Sequence, residues 1–120
     1  MDCYCDYDEP YRLYAKTERK ARKVHVCHEC RARIQPREKY EHVTAIADGV
    51  DVYKTCLRCV ALREWVEAHI PCFCWAHTEL TDAAIETCRN YAHEAPGLLF
   101  GVYRRQVLIN RAAAASRANH

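Results

Sequence analysis

Glycine and proline are scarce in this chain, three and four residues of 120, which excludes collagen-like repeats and the flexible or proline-rich linkers that join separate domains. Long apolar runs are missing as well. No stretch approaches the roughly 18 uninterrupted apolar residues of a membrane-spanning helix, so no membrane partner is expected. Net charge is small, +2 with histidine neutral, and by itself does not mark a nucleic-acid binder. The N-terminus, Met1-Asp2-Cys3-Tyr4-Cys5-Asp6, is acidic where a secretory leader is basic and then apolar, so a cytoplasmic protein is expected. One domain's length of chain remains, half of it hydrophobic and too apolar to stay disordered.

Cysteine, by contrast, is abundant. Nine residues in a reducing compartment point to metal rather than to a disulfide framework, and full pairing of an odd number would leave one thiol over. Two pairs have the two-residue spacing of metal-binding turns: Cys27-His28-Glu29-Cys30 and Cys56-Leu57-Arg58-Cys59. Each pair can grip one ion from a tight turn, and together they complete the four-thiolate tetrahedron that structural zinc prefers. His28, between two ligands, reads as a solvated turn residue.

The residues between the pairs alternate as a strand does, with Tyr40, His42, Thr44 and Ile46 on one face and Glu41, Val43 and Ala45 on the other. Asp48-Gly49 then offers a hairpin turn, and Val50, Val52 and Tyr53 begin the return strand. After Cys56 the period changes to a helix, with Leu57, Ala61, Trp65 and Ala68 on one stripe, Leu62 and Val66 beside it, and Pro71 ending the run. A single small α+β zinc-binding domain over residues 1–120 is expected. Residues 27–70 form its finger, residues 1–26 an N-terminal segment with a basic stretch, and residues 71–120 additional C-terminal helices.

Cys3-Tyr4-Cys5 and Cys72-Phe73-Cys74 are spaced by one residue. In extended chain such neighbours face the same side, so Cys3, Cys5, Cys72 and Cys74 are candidates for a second four-thiolate zinc. Disulfides, free thiols or a contribution from His77 are the alternatives. Cys88, on a stripe with Ala84, Ile85, Tyr91 and Ala92 in a helix starting near Thr81-Asp82, reads as a core thiol. A last helix follows Pro96-Gly97, with Leu98, Val102, Gln106 and Ile109 on one stripe. Residues 98–100 could instead make a short strand, and homodimerisation through the helix stays open.

Charge is laid out in blocks. Residues 1–11 hold four acids and no base, 12–26 six bases and one acid, 60–95 six acids and two bases, and 96–120 four bases and no acid. The basic stretch, Arg12, Lys16, Arg19, Lys20, Arg22 and Lys23, is the candidate partner-binding surface. On a helix, Leu13, Tyr14, Thr17 and Ala21 would face the core and the cations would line the solvated side.

Knuckle, hairpin and a helix whose first turn carries the last two cysteines resemble the treble-clef zinc fingers. The chain also resembles a group of small phage-encoded zinc-finger proteins. The matching residues are 19–23 ahead of Cys27-His28-Glu29-Cys30, then Ile34-Gln35-Pro36-Arg37-Glu38-Lys39-Tyr40, Tyr53-Lys54-Thr55-Cys56 and the flanking Cys-x-Cys pairs. Arg37 stands where that motif more often has glycine. The resemblance implies a phage accessory gene acting in a bacterial cell. Such a protein, with two structural zinc ions and no catalysis, would bind and block or redirect a host protein or complex such as a CRISPR-type defence or the transcription machinery. DNA or RNA binding through residues 12–23 is the alternative. A His-metal nuclease using His42 is the third reading, and the finger helix lacks the histidine and asparagine pattern it would need.

Overall fold

Alternation in residues 39–56 produces the expected hairpin, and a third strand joins it. The computed structural model describes residues 13–70, 73–95 and 97–118. Strands β1 (Leu13–Lys20), β4 (Lys39–Ile46) and β5 (Val50–Cys56) form an antiparallel sheet in the order β1-β4-β5, and the short strands β2 (His25–Val26) and β3 (Arg33–Ile34) pair separately. Three helices follow: α1 (Leu57–His69), α2 (Leu80–Asn90) and α3 (Gly97–Ala118).

Of the two readings of the basic stretch, a binding surface or the solvated side of a helix, the helical one does not hold over β1. Its eight residues pair along the whole of β4, from Leu13 opposite Ile46 to Lys20 opposite Lys39, and all of them are exposed. Lys, Arg, Glu and Ala favour helix locally, but a helix here would bury little of Leu13 or Tyr14. Pairing with the free edge of β4 satisfies the backbone instead. The hairpin turn falls at Asp48-Gly49 as expected. Residues 47–49 connect β4 to β5 with no left-handed residue, so Gly49 is not needed for a positive φ.

The core lies where the helices meet the knuckle, and joins Cys27, Ile34, Tyr40, Cys56 and Cys59 to Leu62, Val66, Leu80, Cys88, Val102 and Ile109. α1 is rotated from the expected stripe: Leu57, Ala61 and Ala68 are exposed, and Cys59, Leu62, Arg63 and Val66 are buried. A helix carrying Cys59 toward a metal must turn the residues three and seven positions later the same way. α2 buries Leu80, Ala84 and Cys88. Cys88 is the expected core thiol, whereas Tyr91 is exposed. α3 is helical through residues 98–100, which removes the strand alternative, and it turns Val102, Ile109 and Ala113 inward.

Arg63 is buried with its charge matched. Its Nη1 donates to Glu41 Oε1 at 2.8 Å and its Nη2 to Oε2, a two-pronged guanidinium–carboxylate pair, while the guanidinium carbon lies 5.1 Å from the Trp75 ring centroid. Burial alone would push the Glu41 pKa up, but the hydrogen bonds and charge of Arg63 outweigh it and hold the carboxyl low. The pair therefore stabilises fully above the unfolded carboxylate value of about 4.3 and weakens as pH falls through the lower folded value. Glu41→Gln leaves Arg63 buried without its counter-charge and is expected to cost about 3 to 5 kcal/mol in urea unfolding at pH 7. That deficit should shrink in acid, as the wild type loses the same interaction.

α1 and α3 approach at Gly101, where an added Cβ would run into the indole of Trp65. Trp65 cannot swing aside freely, because the His69 ring centroid lies 4.4 Å from its own and Arg105 lies 4.3 Å from it on the ring face. Gly101→Ala is therefore expected to destabilise by about 1 to 3 kcal/mol through overpacking, despite alanine's helix preference of about 1 kcal/mol. A denaturant melt measures the difference.

Candidate metal centre

The turn between β2 and β3 brings the first cysteine pair together. Arg31 N–H donates to Cys27 O at 3.0 Å and Cys27 N–H to Ala32 O at 2.9 Å, while Arg31 takes the left-handed φ of 64° that closes the turn. The second pair comes from the β5–α1 junction, with Cys56 at the N-cap and Cys59 in the first turn of α1. Ligand atoms of Cys27, Cys30, Cys56 and Cys59 all lie within 4.8 Å of one another. Cys27 Sγ is 3.9 Å from Cys59 Sγ, and Cys30 Sγ is 3.7 Å from Cys56 Sγ. Zinc–sulfur bonds of about 2.3 Å set tetrahedral sulfurs roughly 3.8 Å apart, so the cluster fits zinc.

Surroundings favour negative sulfur. Cys27 Sγ accepts backbone N–H bonds from Glu29 at 3.4 Å and Cys56 at 3.3 Å, and the N-terminus of α1 adds its positive end beneath Cys56 and Cys59. Hydrogen bonds from Cys30, Cys56 and Cys59 hold the Cys27 thiol far below its ordinary pKa. Those from Cys27 to Cys56 and Cys59 push both of these up. Without metal the cluster thus keeps protons that a divalent ion must displace.

The two residues between Cys27 and Cys30 organise the neighbourhood. His28 is not the solvated turn residue expected. It is half-buried, its N–H donates to Lys54 O at 2.8 Å, and its Nδ1 accepts from Lys54 N–H at 2.8 Å. Glu29 reaches the start of α2, where its carboxylate accepts from Thr78 N–H at 2.7 Å and Leu80 N–H at 3.1 Å. It thereby fills the capping role expected of Thr81-Asp82 from a distant part of the chain.

Of the second expected site, Cys3, Cys5 and Cys72 lie outside the described residues. Cys74 is disulfide-bonded, and in that state it offers no thiolate. His77, the alternative donor, packs against Tyr53 and Tyr14. Its ring stacks on Tyr53 with centroids 4.1 Å apart and planes at 7°, and Nε2 is 2.7 Å from Tyr14 Oη. Burial pushes its pKa down to about 4.

The basic stretch divides. Arg12 lies outside the described residues. Lys16 stands opposite Val43 in mid-strand and takes no part in the cleft at the strand's end. Arg19, Lys20, Arg22 and Lys23 line that cleft of about 830 Å³ together with His25, Tyr40 and Arg37. Arg37 was missed as a site residue. The available signal was its place where the resembling motif has glycine, and it does take a left-handed φ of 78°. Its N–H donates to Ala21 O at 2.7 Å while Ala21 N–H donates to Glu38 O at 2.8 Å, clamping the two walls. Among the described residues no carboxylate lines the cleft. His42 is half-buried beside it on β4, opposite Thr17 and Lys54.

Native mass spectrometry is expected to find one zinc held by each chain through this cluster and none there in Cys56→Ala, which should also lose its cooperative melt because zinc binding contributes on the order of 10 kcal/mol of folding free energy in small modules. A second equivalent appearing only under reducing conditions, and absent from Cys72→Ala, would belong to the outer pairs. No known protein family, curated protein or solved structure matches this chain.

Proposed function

We propose that this protein is a non-catalytic nucleic-acid-binding module of treble-clef-like design, built on a structural zinc and contacting the phosphate backbone through the basic cleft. The carrying observation is that cleft: five Lys and Arg side chains converge with His25, and among the described residues no carboxylate lines it. Among the described residues none of these cleft cations has an ion pair, so they stand ready for an external anion. Four sulfur ligands leave no position for water or substrate, which supports a structural role for the zinc. A second zinc on Cys3, Cys5, Cys72 and Cys74 remains part of this proposal for the reduced chain.

A protein partner is the second reading, and it includes the phage-encoded, host-directed inhibitor that the sequence resemblance implies. The observation favouring it is on α3, where Phe100 is 74 % exposed and Tyr103, Val107 and Leu108 are exposed beside it. Fluorescence anisotropy with a labelled 20-mer separates the two. The zinc-loaded chain is expected to bind at 50 mM salt and to release steeply as salt rises. Reversing Arg22 and Lys23 to glutamate should weaken binding at least about tenfold for all sequences and lower the salt slope by roughly one per lost phosphate contact. No binding at low salt would move the assignment to the protein partner.

A further inference from the structure

A second cationic pocket, of about 300 Å³, opens between α1 and α3 and is lined by Arg58, Ala61, Arg104, Arg105, Leu108 and Ile109. Three arginine side chains thus line a small, mostly apolar space. Among the described residues no carboxylate lines it, and α3 carries no acidic residue at all. Arg105 is held in place: its Nη1 donates to Gly101 O at 3.2 Å and its guanidinium rests on the Trp65 ring. Arg58 Nε is buried with no hydrogen-bond partner, which leaves a desolvated donor unsatisfied. Ile109 is only 1 % exposed, whereas Leu108 is 56 % exposed, so an apolar floor meets an open apolar rim.

We infer that this pocket binds a phosphate monoester carried on a planar or apolar body, of the kind a nucleoside monophosphate presents. The charge argues for a monoester, since it brings close to two negative charges at pH 7 whereas a strand-internal diester phosphate brings one. Guanidinium forks match phosphate oxygens with paired, charge-assisted hydrogen bonds. Ala61, Leu108 and Ile109 accommodate the organic portion. The simplest competing account is that arginine stems merely cover apolar surface; it predicts no preference for phosphate. The ligand has two sources, a free mononucleotide or the terminal phosphate of a strand, and it differs from the diester contacts assigned to the cleft.

Calorimetric titration of the full zinc-loaded chain with adenosine 5′-monophosphate, and with adenosine as control, tests the assignment. Saturable binding of the monophosphate, at least about tenfold tighter than adenosine, is expected, because charge-assisted hydrogen bonds contribute enough for one factor of ten. Arg104→Gln and Arg58→Gln should each weaken it by roughly tenfold. Arg58 lies between two metal ligands, so Arg104→Gln, on an exposed position, keeps the test valid if the other variant loses zinc. Equal affinity for adenosine and its monophosphate would overturn the proposal, as would undiminished affinity in Arg104→Gln. Paired oligonucleotides with a 5′-phosphate or a 5′-hydroxyl identify the source. An advantage for the phosphorylated strand that vanishes in Arg104→Gln assigns the site to strand ends, and equal strand affinities assign it to the free nucleotide.

Discussion

Four sulfur atoms from two segments far apart in sequence meet within 4.8 Å of one another, and most of the remaining architecture follows from holding them there. Cys27 and Cys30 require the left-handed turn at Arg31, which in turn sets the short β2–β3 pair. Cys56 and Cys59 require β5 to run directly into α1, so the rotation of that helix is decided by its first turn and not by its most apolar stripe. Once Cys59 points inward, Leu62 and Val66 enter the core and Arg63 is carried under the sheet, where only the facing carboxylate of Glu41 makes its burial tolerable.

The knuckle also acts outward. His28 extends the hydrogen bonding of β5 through Lys54, and Glu29 supplies the cap that α2 does not obtain from its own N-cap residue. Two polar side chains between the ligands therefore tie a strand and a helix to the metal turn. Disturbance of the cluster is transmitted by hydrogen bonds to both, in addition to the loss of packing around Cys27 and Cys59, which are fully buried.

Net charge is a poor guide to what the surface can bind. The near-neutral total of +2 conceals a separation in which cations gather at the end of β1 and along α3, and among the described residues the lining of neither pocket includes an acid. Screening over roughly 8 Å at physiological salt makes local groupings matter more than the sum. Acids in residues 60–95 are spent differently: Glu67 approaches Arg63 to 4.0 Å, and Asp82 sits in the first turn of α2.

Local patterns determined what depends on near neighbours. Cysteine spacing identified Cys27, Cys30, Cys56 and Cys59 as one cluster, strict alternation marked the β4–β5 hairpin, and the change of period after Cys56 marked α1, because each is encoded within a few residues by ligand geometry or side-chain direction. The same spacing argument for Cys3, Cys5, Cys72 and Cys74 found no test among the described residues. Tertiary structure decided what depends on partners distant in sequence. Residues 13–20 are a strand because β4 offers an edge, although their composition favours helix equally well. Arg37 joins Arg19 and Lys23 because Ala21 pairs with the turn at 37–38, and Arg58 meets Arg104 only because Gly101 lets α3 lie close against Trp65. Such contacts have no period and no motif. They arise when packing around the sulfur cluster brings separate segments to the same place.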